Sequence, residues 1–118
     1  MVAREYLPLS DDWHDHAPGT LTWLQAWYAM QCDEDWEHGS GVHIETLDNP
    51  GWRVSIEVSG TAAESLHLEP VETHRSEHDW YVVKREGTAF QAYCGPLNIG
   101  EVLHAFRLWA EGPPALAE

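Results

Sequence analysis

The segment Cys32-Asp33-Glu34-Asp35-Trp36-Glu37-His38 gathers carboxylates, a thiol and an imidazole around one tryptophan. Such residues hold cations, carry protons or meet basic partners, and their spacing decides which. An EF-hand calcium loop is excluded. With Asp33 at the first ligand position, His38 stands where that loop needs glycine and Ile44 where it needs glutamate. Cys32 with Asp35 and His38, or His14 with Asp15 and His16, has donor atoms suited to a divalent metal, but neither spacing is that of a structural zinc site. The sequence therefore predicts no resident metal and no cofactor.

Catalytic patterns are equally absent. There is no G-x-S-x-G elbow and no phosphate-binding glycine pattern, and Gly39-Ser40-Gly41 offers nothing to activate its serine. Cys32 precedes His38, but the negative end of a helix disfavours the thiolate that a nucleophile needs. Cys32 also continues an apolar stripe, so it is expected to be buried, as is Cys94 at a strand end. The expectation is a protein that is not an enzyme. The acidic run remains a candidate for binding, because carboxylates at a helix C-terminus face its dipole and one another.

The elements that must position this run follow from periodicity. From Thr20, a plausible cap after Pro18-Gly19, Leu21, Leu24, Tyr28 and Cys32 form one helical stripe, and Trp23, Trp27 and Met30 form a second beside it. From Val42 the period becomes two. Val42–Leu47 and Trp52–Val58 read as a hairpin, with Pro50 and Gly51 as the central residues of a type II turn. Leu66–His74 is a weaker strand confined to an edge by Pro70, and Trp80–Arg85 pairs with Thr88–Tyr93 across Glu86-Gly87. Asn98 with Glu101 resembles a capping box before the helix that carries Ile99, Val102, Leu103, Phe106 and Trp109. Without βαβ alternation, the class is α+β: an antiparallel sheet of four to five strands with an N-terminal and a C-terminal helix packed on it. The expected organisation is a loosely ordered acidic arm (1–18), one domain (19–112) and a short tail (113–118).

Charge narrows the partners. Six basic residues against 20 acidic ones leave a formal charge of −14 over 118 residues, which disfavours nucleic acid and anionic membrane and favours a basic protein. Hydrophobic content of 43% with seven tryptophans provides enough apolar surface for a folded core. Trp52, Trp80 and Trp109 fall on core-facing positions, whereas Trp23, Trp27 and Trp36 are divided between core and interface. Met1–Leu9 lacks the apolar run of a secretory signal, and no stretch is long enough to span a bilayer, so a cytoplasmic location is expected.

Three runs carry a resemblance: Trp23-Leu24-Gln25-Ala26-Trp27-Tyr28, Gln31-Cys32-Asp33-Glu34-Asp35-Trp36-Glu37-His38, and Thr46-Leu47-Asp48-Asn49-Pro50-Gly51-Trp52. Together with Asp79-Trp80 and Phe106-Arg107-Leu108-Trp109, they resemble the bacterial immunity protein 53 family over roughly residues 20 to 110. In that family's pattern glycine commonly stands where this chain has Glu34. The resemblance implies a small α+β protein, encoded beside a secreted polymorphic toxin, that protects its cell by binding and neutralising that toxin. The resemblance carries over no contact residues; from the charge pattern itself the expected mechanism is occlusion, in which Asp33, Glu34, Asp35 and Glu37 meet Lys or Arg of the toxin, with Trp36 and Trp27 as the desolvated anchor and His38 on the same surface. The alternatives are a small metal-binding or thiol-dependent enzyme, or an acidic DNA mimic.

Overall fold

The computed structural model describes residues 11–39 and 41–112, with side chains described from Gly19 onward. Helix α1 (Asp11–Gln31) and the single-turn helix α2 (Trp36–Gly39) precede strands β1 (Val42–Leu47) and β2 (Gly51–Glu57). A 3-10 turn (Ala62–Ser65) leads to β3 (Val71–Ser76), β4 (Asp79–Glu86) and β5 (Ala89–Cys94), and α3 (Ile99–Glu111) closes the chain. The five strands form one antiparallel sheet in the order β1-β2-β5-β4-β3, as expected for an α+β domain. The β2–β3 connection crosses to the far edge, so β5 returns to the centre beside β2. No helix among the described residues is long and apolar enough to cross a membrane.

Alternation makes one face of this sheet apolar. Val54 and Ile56 on β2 sit opposite Ala92 and Phe90 on β5, and Ala92 sits opposite Val83 on β4. All five are at most 2% exposed. Helix α3 covers this face with Val102, Leu103 and Phe106. Helix α1 packs mainly against α3 and adds Leu24 to the same core, with Trp23 and Trp27 half-buried against it. Phe106 is the hub: its ring lies 5.0 Å from those of Phe90 and Trp27, 5.9 Å from Trp23 and 6.0 Å from Trp109.

Several local expectations are corrected. Helix α1 starts at Asp11 and runs through Pro18-Gly19, so Thr20 is not its cap. Thr20 is buried, with its hydroxyl 3.5 Å from Nδ1 of His104 on α3, and this packing outweighs the local helix-breaking signal. Residues 11–18 of the expected arm are thus helical in backbone, and residues 1–10 and the 113–118 tail lie outside the described residues. Asn98 makes no side-chain cap on α3. Its amide donates to Asp79 and Glu101 and its oxygen accepts from the Trp80 N–H, tying α3 to the start of β4. Gly51 is the first residue of β2 and not a central turn residue. It is required by close approach, since a Cβ there would stand 2.2 Å from the Cys94 carbonyl oxygen.

The tryptophans also settle differently from their pattern. Trp52, Trp80 and Trp109 were expected in the core, yet all three are half-buried. The indole N–H groups of Trp52 and Trp109 donate to the carbonyls of Pro96 and His67, so each ring keeps its polar edge at the rim of the core. Trp80 stacks on His74, with ring centroids 6.2 Å apart, on the sheet face opposite the one that α3 covers.

Candidate functional site

The acidic run forms the turn between α1 and β1, and its local structure comes from its own carboxylates. Oδ1 of Asp33 accepts from the backbone N–H groups of Asp35 and Trp36, at 3.0 and 2.9 Å. Glu37 reaches back to accept from the N–H groups of Asp33 and Glu34, at 2.9 and 2.8 Å. The two side chains thereby pair backbone donors that the turn after α1 and the start of α2 would otherwise leave to water. The repulsion expected at this helix end is therefore offset within the turn. Both carboxyls are held below the usual carboxylate range, Asp33 by the Trp36 and Asp35 amides and Glu37 by its own amide and those of Asp33 and Glu34.

The outward charge of the turn is carried by Glu34 and Asp35, both exposed, with His38 exposed beside them. Glu34 takes φ = 81°, the left-handed conformation that favours glycine. The glycine expected at this position in the resembling family thus has a backbone reason.

Trp36 joins the turn to the rest of the molecule. It is half-buried, meeting Trp27 edge-on at 5.9 Å and Tyr28 at 5.7 Å. Trp27 in turn meets Phe106, so a continuous aromatic column runs from the core to the acidic surface. The structure thus brings Trp27, Trp36 and the run from Asp33 to His38 together at one end of α1. The rings serve as the base of the turn, with the carboxylates above them.

Cys32 corrects its expectation: it is exposed, its thiol donating to the Tyr28 carbonyl at 3.3 Å, because its stripe turns away from the core. Leu21 and Tyr28 of the same stripe are exposed as well, and only Leu24 is buried. Cys94 is buried as expected, and burial pushes its thiol up to about 11. Among the described residues no three His, Cys, Asp or Glu side chains converge to hold a metal, and the side chains of His14, Asp15 and His16 lie outside them.

Basic side chains do not balance the acidic surface locally. Arg53, Arg75, Lys84 and Arg107 are paired with Glu45, with Asp79 and Glu101, with Glu86 and with Glu111. Arg85 donates to the carbonyls of Leu66 and Gly87. Each Lys and Arg side chain from Gly19 to Gly112 is thus already engaged, and among the described residues Glu34 and Asp35 make no ion pair.

What sequence reasoning missed was the flank of this turn, where Leu21, Tyr28 and Ile44 stand in solvent. Their apolar periodicity is that of core residues, and what distinguishes them is that β1 lies at the sheet edge and α1 packs mainly on α3.

Neither the curated proteins nor the solved structures contain a match to this chain. The family model for immunity protein 53 matches residues 21–111, a span running from the exposed flank of α1 through the acidic turn and the whole sheet to the end of α3. The chain belongs to the immunity protein 53 family.

Proposed function

We propose that this protein binds and neutralises a cognate toxin domain encoded by a neighbouring gene, in the cytoplasm and without catalysis. The binding unit is taken as residues 19–112, with 1–18 an acidic N-terminal segment whose residues 11–18 continue into α1, and 113–118 a C-terminal segment. The observation that carries the proposal is the unbalanced acid at the turn. Among the described residues Glu34 and Asp35 make no ion pair, and they project from a turn held by Asp33 and Glu37, on a chain whose formal charge is −14. Such a surface fits Lys or Arg on a basic toxin and speeds encounter, with association rates up to roughly 10⁸ to 10⁹ M⁻¹s⁻¹ at low salt. Asp33, Glu34, Asp35, Glu37 and His38 supply the contact surface, and Trp36 and Trp27 hold it against the core. The same charge turns away nucleic acid and anionic membrane.

The test is coexpression with the toxin encoded by the adjacent gene. Restored growth and a stoichiometric complex are expected, with an association rate that falls steeply between low and physiological salt. Absence of both protection and complex would overturn the proposal. A complex competed away by duplex DNA, and formed equally with unrelated basic proteins, would replace it with a general DNA mimic. Bound metal in untagged protein, or loss of protection in Cys32→Ser, would point to the metal or thiol reading.

A further inference from the structure

The two edges of the sheet are built differently. At one edge, β3 is interrupted by a bulge between His74 and Ser76 and carries Arg75 beside it, devices that discourage another strand from pairing. At the other edge, β1 pairs with β2 through six consecutive positions with no bulge, and contains no proline, lysine or arginine. Its outward backbone groups can be assigned. The Glu57 N–H donates to the Gly41 carbonyl at 3.1 Å, so the alternate residues His43, Glu45 and Leu47 also face β2. The N–H and C=O groups of Val42, Ile44 and Thr46 therefore point away from the sheet.

An apolar groove of about 330 Å³ lies alongside this edge, lined by Leu21, Leu24 and Gln25, by Tyr28 and by Val42. Leu21 is 61% exposed, and Ile44 and Tyr28 are 39% and 38% exposed. Tyr28 also touches the Trp36 ring, so the groove opens beside the turn that carries Glu34 and Asp35. An occupant would thus meet backbone donors and acceptors that no described residue pairs, an apolar slot and carboxylates in succession.

We propose that the β1 edge docks an extended, cationic segment of a partner protein as an added sixth strand, its alternate apolar side chains seated in the groove between α1 and the sheet. The proposal rests on the toxin-binding reading and names how the partner is held. Charge chooses the occupant: a second copy would set −14 against −14, whereas Lys or Arg interleaved with apolar residues answers both the groove and the acidic turn.

The experiment uses the full chain and a synthetic peptide of alternating valine and lysine, at low salt. Binding with slowed amide exchange at Val42, Ile44 and Thr46 is expected, and the analogue with glutamate in place of lysine should not bind. Ile44→Pro removes an outward N–H without touching the ladder to β2, and should weaken peptide binding by at least about tenfold. Leu21→Gln alters only the exposed groove wall on α1 and should also weaken it, which guards against misfolding of the proline variant. Undiminished binding by both variants, or slowed exchange elsewhere with β1 unaffected, would overturn the proposal. So would a dimer of the wild-type chain in sedimentation that Ile44→Pro dissociates, which would give the edge to a second copy. With the adjacent-gene toxin as probe, equal binding by wild type and both variants removes the edge proposal and leaves the toxin reading standing. Absence of any complex with wild type removes the toxin reading itself.

Discussion

Truncating Phe106 to alanine tests how the molecule is held together. Its ring is fully buried and has four aromatic neighbours within 6.0 Å: Phe90 from the sheet, Trp23 and Trp27 from α1, and Trp109 from its own helix. Phe→Ala at a buried site costs about 3 to 5 kcal/mol. The upper half of that range applies here, because flat rings fixed on three elements cannot collapse into the space. A domain of this size has a total stability on the order of 5 to 15 kcal/mol, so the variant stays folded at 25 °C with much of its margin gone. At roughly 4 °C per kcal/mol, Tm should fall by about 15 to 20 °C. Thermal denaturation followed by far-UV circular dichroism reads this directly. A urea titration should show a lower midpoint with the same slope, since the surface exposed on unfolding hardly changes. A drop in Tm below about 5 °C would refute Phe106 as the joint between sheet and helices, and with it the aromatic path to Trp36.

Other outcomes follow from single features. Glu34→Gly relieves a left-handed residue whose strain is about 1 kcal/mol, set against glycine's greater freedom in the unfolded chain, so Tm should stay level or rise slightly while toxin association slows; a clear fall in Tm would contradict the assigned conformation. Gly51→Ala forces a Cβ against the Cys94 carbonyl oxygen at 2.2 Å and should cost on the order of 2 kcal/mol or more, read as a lowered urea midpoint; an unchanged midpoint would argue against this close approach of β2 to β5. Asp33, Glu37 and Asp79 all have lowered pKa values, Asp79 through Arg75 and then Asn98. A depressed carboxyl stabilises the fold above its unfolded pKa, about 3.9 for Asp and 4.3 for Glu, and that contribution is lost as pH falls further through the folded value. The urea midpoint should thus drop as pH falls below about 4, and Asp33→Asn should reduce the drop; a profile unchanged by that substitution would show that the cap bonds do not contribute.

How much could be read before the structure is clearest strand by strand. The β1–β2 and β4–β5 hairpins and helix α3 were legible because alternation and helical periodicity are local and their terminators, Gly87 and Gly112, sit next to them. The acidic run was legible as a site because charge density at a helix end needs no tertiary information. Its internal bonding was not, since it depends on Asp33 and Glu37 folding back onto backbone amides, a matter of dihedral angles and not of composition.

By itself, then, the sequence determined the class of fold, the order of its elements, the acid excess and the place where acid and tryptophan coincide. Tertiary structure alone decided which apolar residues are core. Leu21, Tyr28 and Ile44 have the same chemistry and periodicity as Leu24 and Val54, yet they stand in solvent because β1 lies at the sheet edge and α1 leans on α3. A side chain's period states which neighbours share its face, whereas burial depends on what the rest of the chain brings to that face. At β1 the described chain brings nothing, and the surface left open there adjoins the acidic turn.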